Sequence, residues 1–231
     1  MLRAPGEGTL PILYEDRSVL AVDKPAGWML IPFNWQKTQW NLQAALNSSI
    51  AAGDFWARSR NLKFLRNIHR LDAETSGVLL FAKSPGALAT YASLFETRRM
   101  EKRYLTVVVG RPACAKWVSQ LPLAPDPAKI GRMRVDQSNG KSAETHFKLL
   151  RTTGGKSLVE ARPVTGRTHQ IRVHLAETVS PVLGDELYGG LAAGPEVGLA
   201  LRAVELAYFD PFQRRPVRIQ APDASHHSVC I

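Results

Sequence analysis

The stretch His69-Arg70-Leu71-Asp72-Ala73-Glu74-Thr75-Ser76-Gly77 sets a carboxylate, a cation and an imidazole within four residues, just ahead of the apolar run VLLFA. Two further segments carry polar groups in unusual company. In Lys102-Arg103-Tyr104, cations lead into an aromatic ring at the start of a strand-like run. The third segment, 165–175, reads TGRTHQIRVHL. If it is a helix entered at Thr165, Ile171 and Leu175 lie one turn apart and pack inward. Arg167, Gln170 and His174 then share an adjacent polar face. Each residue alone has an ordinary structural explanation. An arginine beside an aspartate is commonly an ion pair, and a strand tyrosine is commonly core. It is the set that calls for chemistry.

Several elements have to hold these groups in place. Residues 12–14 and 19–22 predict a hairpin turned by Glu15-Asp16-Arg17-Ser18, ending at Lys24-Pro25-Ala26-Gly27. A helix is expected near 41–52. Residues 78–82 read as a short buried strand directly after the first motif. Ser84-Pro85 is a helix start, with serine as N-cap and proline at the first helical position. That helix should run to about residue 98, with Leu88, Tyr91, Ala92 and Phe95 on its apolar face. Strands are expected over 104–109, 143–150, 157–161 and 199–208. Residues 113–142, rich in Pro, Lys and Gly, look like an excursion from the core. Strands and helices mix without strict alternation, which predicts an α+β fold with a mixed, mostly antiparallel sheet. Trp28, Trp35, Trp40 and Trp56 crowd one irregular segment and are expected to be buried packing rather than platforms for bases.

The 231 residues carry 30 Lys+Arg against 20 Asp+Glu, a formal charge of +10. Such a field attracts phosphates and points to a polyanionic partner. Cys114 and Cys230 make no metal pair or disulfide framework, the N-terminus lacks the apolar run of a signal peptide, and no stretch approaches a membrane span. The cytoplasm is the expected compartment. Two decoys fall away. SNGKS (138–142) and TGGKS (153–157) have Val135 and Leu150 where a phosphate loop needs its first glycine. His226-His227 have no Cys or carboxylate partner at ligand spacing.

In order and spacing, HRLDAETSGVLLFAKS, EKRYLTVVVG and GRTHQIRVHLAETVSPVLGDELYGG resemble the signature segments of the RluA family of RNA pseudouridine synthases. YEDRSVLAVDKPAGWMLIP is similar to that family's first hairpin, and LALRAVELAYFDP to its last core strand. The resemblance covers roughly residues 10–222. It implies a single catalytic domain over 1–231, without the N-terminal S4 RNA-binding domain that many members carry. The implied fold is the pseudouridine synthase catalytic fold, two lobes with flanking helices and a central basic cleft with Asp72 on its floor. Arg202 stands where members often have histidine.

The resemblance also implies the reaction. A uridine in structured RNA, ribosomal or transfer, has its N1–C1′ bond broken, its base rotated and a C5–C1′ bond made. Asp72 matches the catalytic aspartate and would act on the sugar, as nucleophile at C1′ or as base toward C2′. Ordinary glycosidases need two carboxyl groups, whereas an isomerisation that keeps its uracil needs no hydrolytic water. Arg70 matches the arginine that occupies the space of the flipped base, Tyr104 the tyrosine that stacks on the uracil, and Arg167 the arginine that pairs with the aspartate. His69, Lys102 and Arg172 are expected RNA contacts. The expected enzyme is a monomer that uses no metal and no organic cofactor and does not engage a membrane. Two competing readings are a non-catalytic RNA-binding module on the same scaffold and an N-glycosidase. The second would need another acid or a water-activating group.

Overall fold

A computed structural model describes residues 2–4, 8–30, 40–192 and 198–222. Trp35, Cys230 and His226-His227 lie outside them. In chain order the elements are β1 (Leu2–Ala4), β2 (Gly8–Leu10), β3 (Ile12–Glu15), β4 (Val19–Lys24), α1 (Leu42–Ala51), α2 (Phe55–Arg58), β5 (Arg66–Asn67), β6 (Ser76–Ala82) and α3 (Pro85–Glu96). There follow β7 (Glu101–Val109), β8 (Lys116–Ser119), β9 (Leu123–Pro125), β10 (Met133–Val135), β11 (Thr145–Thr153), β12 (Lys156–Pro163), α4 (Gln170–Thr178), β13 (Leu201–Phe209) and β14 (Pro216–Gln220). The chain forms two units, Met1–Met100 with Glu205–Ala221, and Glu101–Val204 with Pro222–Ile231. The class is the expected α+β. No helix among the described residues is long and apolar enough to cross a membrane.

In the first unit the strand order is β3-β4-β6-β13, with β5 also on β6 and β14 on β13. The pairs β3/β4, β4/β6, β5/β6 and β13/β14 are antiparallel. The expected hairpin forms because Asp16 closes its turn, accepting the N–H groups of Ser18 at 2.7 Å and Val19 at 2.8 Å. Strand β6 is buried at every position, as an apolar run without alternation requires. One face of the sheet carries Val19, Ala21, Val78, Leu80 and Leu206 against Ala87, Tyr91 and Leu94 of α3. Helix α3 begins where Ser84 caps it, its hydroxyl accepting from Ala87 N–H at 3.2 Å. Asn41 caps α1 in the same way at 2.9 Å. Trp28 and Trp56 are buried as expected, and Trp40 is half exposed with its ring edge-on to Trp28.

In the second unit β7, β12, β11 and β8 follow one another in antiparallel order. The excursion read into 113–142 is only partly right, since β8 is an edge strand of this sheet and β9/β10 form a separate hairpin. The TGGKS stretch is the tight turn between β11 and β12. Gly154 and Gly155 take φ of +57° and +73° there, a conformation two-residue hairpin turns demand and side chains resist. Helix α4 packs Ile171 and Leu175 onto Val107, Phe147, Val159 and Ala161.

Candidate active site

The loop bearing Asp72 joins β5 to β6 in the first unit, and it is held from several sides. Leu71 and Thr75 are buried, Asp72 is half-buried and Arg70 is exposed. Thr75 N–H donates to the Asp72 carbonyl at 3.1 Å, and Gly27 N–H to the Ala73 carbonyl at 2.8 Å. Gly77, the second residue of β6, takes φ +114°, accessible at low cost only to glycine. The His69 ring accepts the Leu80 N–H at Nε2 (3.1 Å) and stacks on Phe95 with centroids 4.8 Å apart. His69, expected as an RNA contact, is thereby tied into the packing between the loop, β6 and α3.

Sequence reasoning left one residue without a part: Lys24. It is fully buried at the end of β4, opposite Gly77. Its ammonium donates to the carbonyls of Ala73 (2.8 Å), Thr75 (2.8 Å) and Pro25 (3.0 Å). The loop around Asp72 is therefore clamped from beneath by one cation. Burial pulls the Lys24 pKa down to about 8, against the opposing pull of the Glu74 and Asp72 carboxylates. At neutral pH it stays charged, with all three ammonium protons available to three acceptors. The signal in the sequence was a lysine at the end of a strand that opens with the apolar run VLAV, because lysines are almost never fully buried unless partnered.

The remaining predicted residues lie on the second unit. Tyr104, half-buried on β7, stands opposite Ala161 and packs against the cluster beneath α4. Lys102 donates to the Thr165 carbonyl at 3.0 Å, and burial lowers its pKa to about 8. Its ammonium thus ties β7 to the third motif. That motif is not a helix from Thr165. Helix α4 starts at Gln170, preceded by His169 in the left-handed conformation at φ +52°. Gln170 is the hub: its Oε1 accepts from Thr165 Oγ1 (2.7 Å) and Arg167 N–H (2.9 Å), and its Nε2 donates to the Glu144 carbonyl and Thr145 Oγ1, both at 2.9 Å. Arg167, exposed, is steered by a 2.9 Å bond from Nε to the Ser142 carbonyl.

Two expectations need correction. The polar face of α4 points inward: Gln170 and His174 are buried, and His174 is bonded to Thr145 Oγ1 (3.0 Å) and the Leu121 carbonyl (2.9 Å). Burial holds the His174 imidazole below its usual pKa. Arg172, expected to contact RNA, is 4% exposed. It makes a two-pronged bond to Asp185, Nε to Oδ2 and NH2 to Oδ1, both at 2.7 Å, and lies over the Tyr188 ring. That fork is spent inside the fold.

Residues 18–177 match the family model described as RNA pseudouridylate synthase. The chain is 33% identical to ribosomal large subunit pseudouridine synthase D of Xanthomonas campestris, over 95% of this chain and 67% of that protein. It is 36% identical to an uncharacterised RNA pseudouridine synthase of Bacillus subtilis, over 80% and 60%. The chain therefore spans 60 to 67% of the length of these bacterial relatives. Among solved structures, human RNA pseudouridylate synthase domain containing 1 superposes with a TM-score of 0.76 at 25% identity, covering 98% of this chain and 88% of that one.

Proposed function

The chain belongs to the RNA pseudouridylate synthase family, and from that premise we propose that Asp72 is the carboxylate through which it isomerises uridine to pseudouridine. In the overall reaction the N1–C1′ bond breaks and a C5–C1′ bond forms. N1 ends with a proton and C5 loses one to solvent. Asp72 acts at the ribose, at C1′ or C2′, so its position relative to the sugar has to be fixed. The observation that carries the reading is the clamp: hydrogen bonds from Lys24 and Gly27 hold the backbone at Ala73 and Thr75, directly after the aspartate. Reacting groups held to within a fraction of an ångström gain rate that mobile ones forfeit.

Tyr104 and Arg167 complete the proposed catalytic set, the tyrosine stacking on the uracil and the arginine pairing with the reacting carboxylate. Arg70, exposed beside Asp72, fills the gap left by the flipped base. His69 and Lys102 support these residues from behind. The proposed substrate is ribosomal RNA of the large subunit, on the names of the bacterial relatives, and the reading puts the enzyme in the cytoplasm with that RNA. Mapping pseudouridines in cellular RNA with and without the gene identifies the target. On that target, Asp72→Asn should abolish tritium release from uracil C5 while binding stays within a few fold. Substantial turnover by the purified variant would remove Asp72 from the role.

A further inference from the structure

The outward face of the second unit's sheet carries an array that the proposed chemistry does not use. Cross-strand partners set two rows on it: Val118–His146–Arg162 and Lys116–Lys148–Glu160. Side chains alternate along a strand. The opposite face thus carries the row Trp117–Phe147–Ala161–Tyr104, so this array lies directly behind the proposed stacking tyrosine. Lys116, Lys148, Arg162, His146 and Val118 are all exposed.

The charges are unbalanced in a specific way. Glu160 is taken by Arg162 at 2.8 Å and Arg103 at 3.6 Å. Glu144, at the rim, is taken by His146 at 2.8 Å and Gln120 at 2.9 Å. Lys116 and Lys148 face each other on adjacent strands, with the already engaged Glu160 on the far side of Lys148. Like charges directly opposite one another destabilise a sheet, and no packing in the unit calls for them. Beside them opens a cavity of ≈ 330 Å³, lined by Lys116, Trp117, Val118, His146, Phe147 and Lys148 together with the Glu160–Arg162 ion pair. That volume is at the lower end of small-ligand sites.

We propose that this face is a second RNA-docking surface, where Lys116 and Lys148 receive backbone phosphates and the cavity beside them takes one nucleotide. The occupant is the substrate RNA, because two exposed ammoniums beside a cavity whose one carboxylate, Glu160, is engaged by Arg162 and Arg103, with Val118 in its lining, suit a phosphate followed by a base edge. The proposal rests on the RNA-modifying reading above and extends it, since RNA held behind the Tyr104 strand adds affinity without touching the reacting uridine.

The test is Lys116→Gln/Lys148→Gln, with binding of a structured RNA transcript of about 100 nucleotides followed by fluorescence anisotropy across a salt series. Each lost phosphate contact should make the plot of log affinity against log salt shallower by about 0.7–0.9. The double variant should therefore flatten by roughly 1.4–1.8, and Lys116→Arg/Lys148→Arg should restore the slope. Thermal melting checks that the variants fold. An unchanged slope in the folded Gln variant overturns the proposal. So does loss of binding to polyglutamate with RNA binding intact, which would assign the face to an acidic protein. Turnover by Asp72→Asn, by contrast, would overturn the catalytic assignment and leave this surface standing.

Discussion

Replacing Lys24 by methionine removes the ammonium beneath the Asp72 loop while keeping a side chain of similar length. Two effects oppose each other. The variant no longer buries a charge: lowering a lysine from 10.5 to about 8, at 1.36 kcal/mol per pH unit, means the charged form costs roughly 3 kcal/mol at neutral pH. Against that, the carbonyls of Pro25 and Thr75 lose a charged donor, at about 1–3 kcal/mol for each buried group left unsatisfied, and the Ala73 carbonyl keeps its bond from Gly27 N–H alone. Two such losses and one weakened bond outweigh the relief, and a net destabilisation of about 1–3 kcal/mol is expected at pH 7.

The sign of the pH dependence follows. Between pH 8 and 10.5 the unfolded chain holds the Lys24 proton and the folded chain has released it, so this residue makes stability rise with pH across that window. The deficit of the methionine variant against the parent should therefore widen from pH 7 to pH 10. Urea titration at several pH values reads this directly, and single-turnover tritium release at pH 7 should fall at least about 100-fold if the carboxylate shifts by an ångström. A variant with parental stability and turnover at neutral pH would refute the clamp.

Three further outcomes are expected. Arg70→Ala should slow single turnover more on a paired target uridine than on an unpaired version of the same RNA, by up to the few kcal/mol of base flipping; an equal loss on both would make Arg70 an ordinary phosphate contact. Tyr104→Leu should forfeit a stacking contact worth about 1–3 kcal/mol, read in single-turnover rate, while Tyr104→Phe keeps the stack, and RNA affinity should change little in either. Arg172→Met should cost about 3–5 kcal/mol in urea unfolding by stranding the buried Asp185, the double change with Asp185→Leu should recover most of it, and the RNA salt slope should stay unchanged.

Local chemistry made much of this protein legible from its residues. Asp16 dictates its own turn, Ser84-Pro85 and Asn41 start their helices, and the unbroken apolar run after Gly77 is a strand buried on both faces. These signals act over a few residues, so the sequence alone carries them. The family motifs, being spacings of residue types, were equally open to reading in the sequence.

Tertiary structure decided which polar groups face inward. Arg172 and His174 look like surface chemistry in sequence because their partners Asp185, Thr145 and Leu121 lie 13, 29 and 53 positions away. Lys24 looks like the end of a strand, but folding brings the carbonyls of Ala73 and Thr75 onto it from 49 and 51 positions downstream. A buried cation is tolerable only where distant acceptors converge on it. That convergence, which no local pattern encodes, is what turns an ordinary lysine into the support of the proposed catalytic loop.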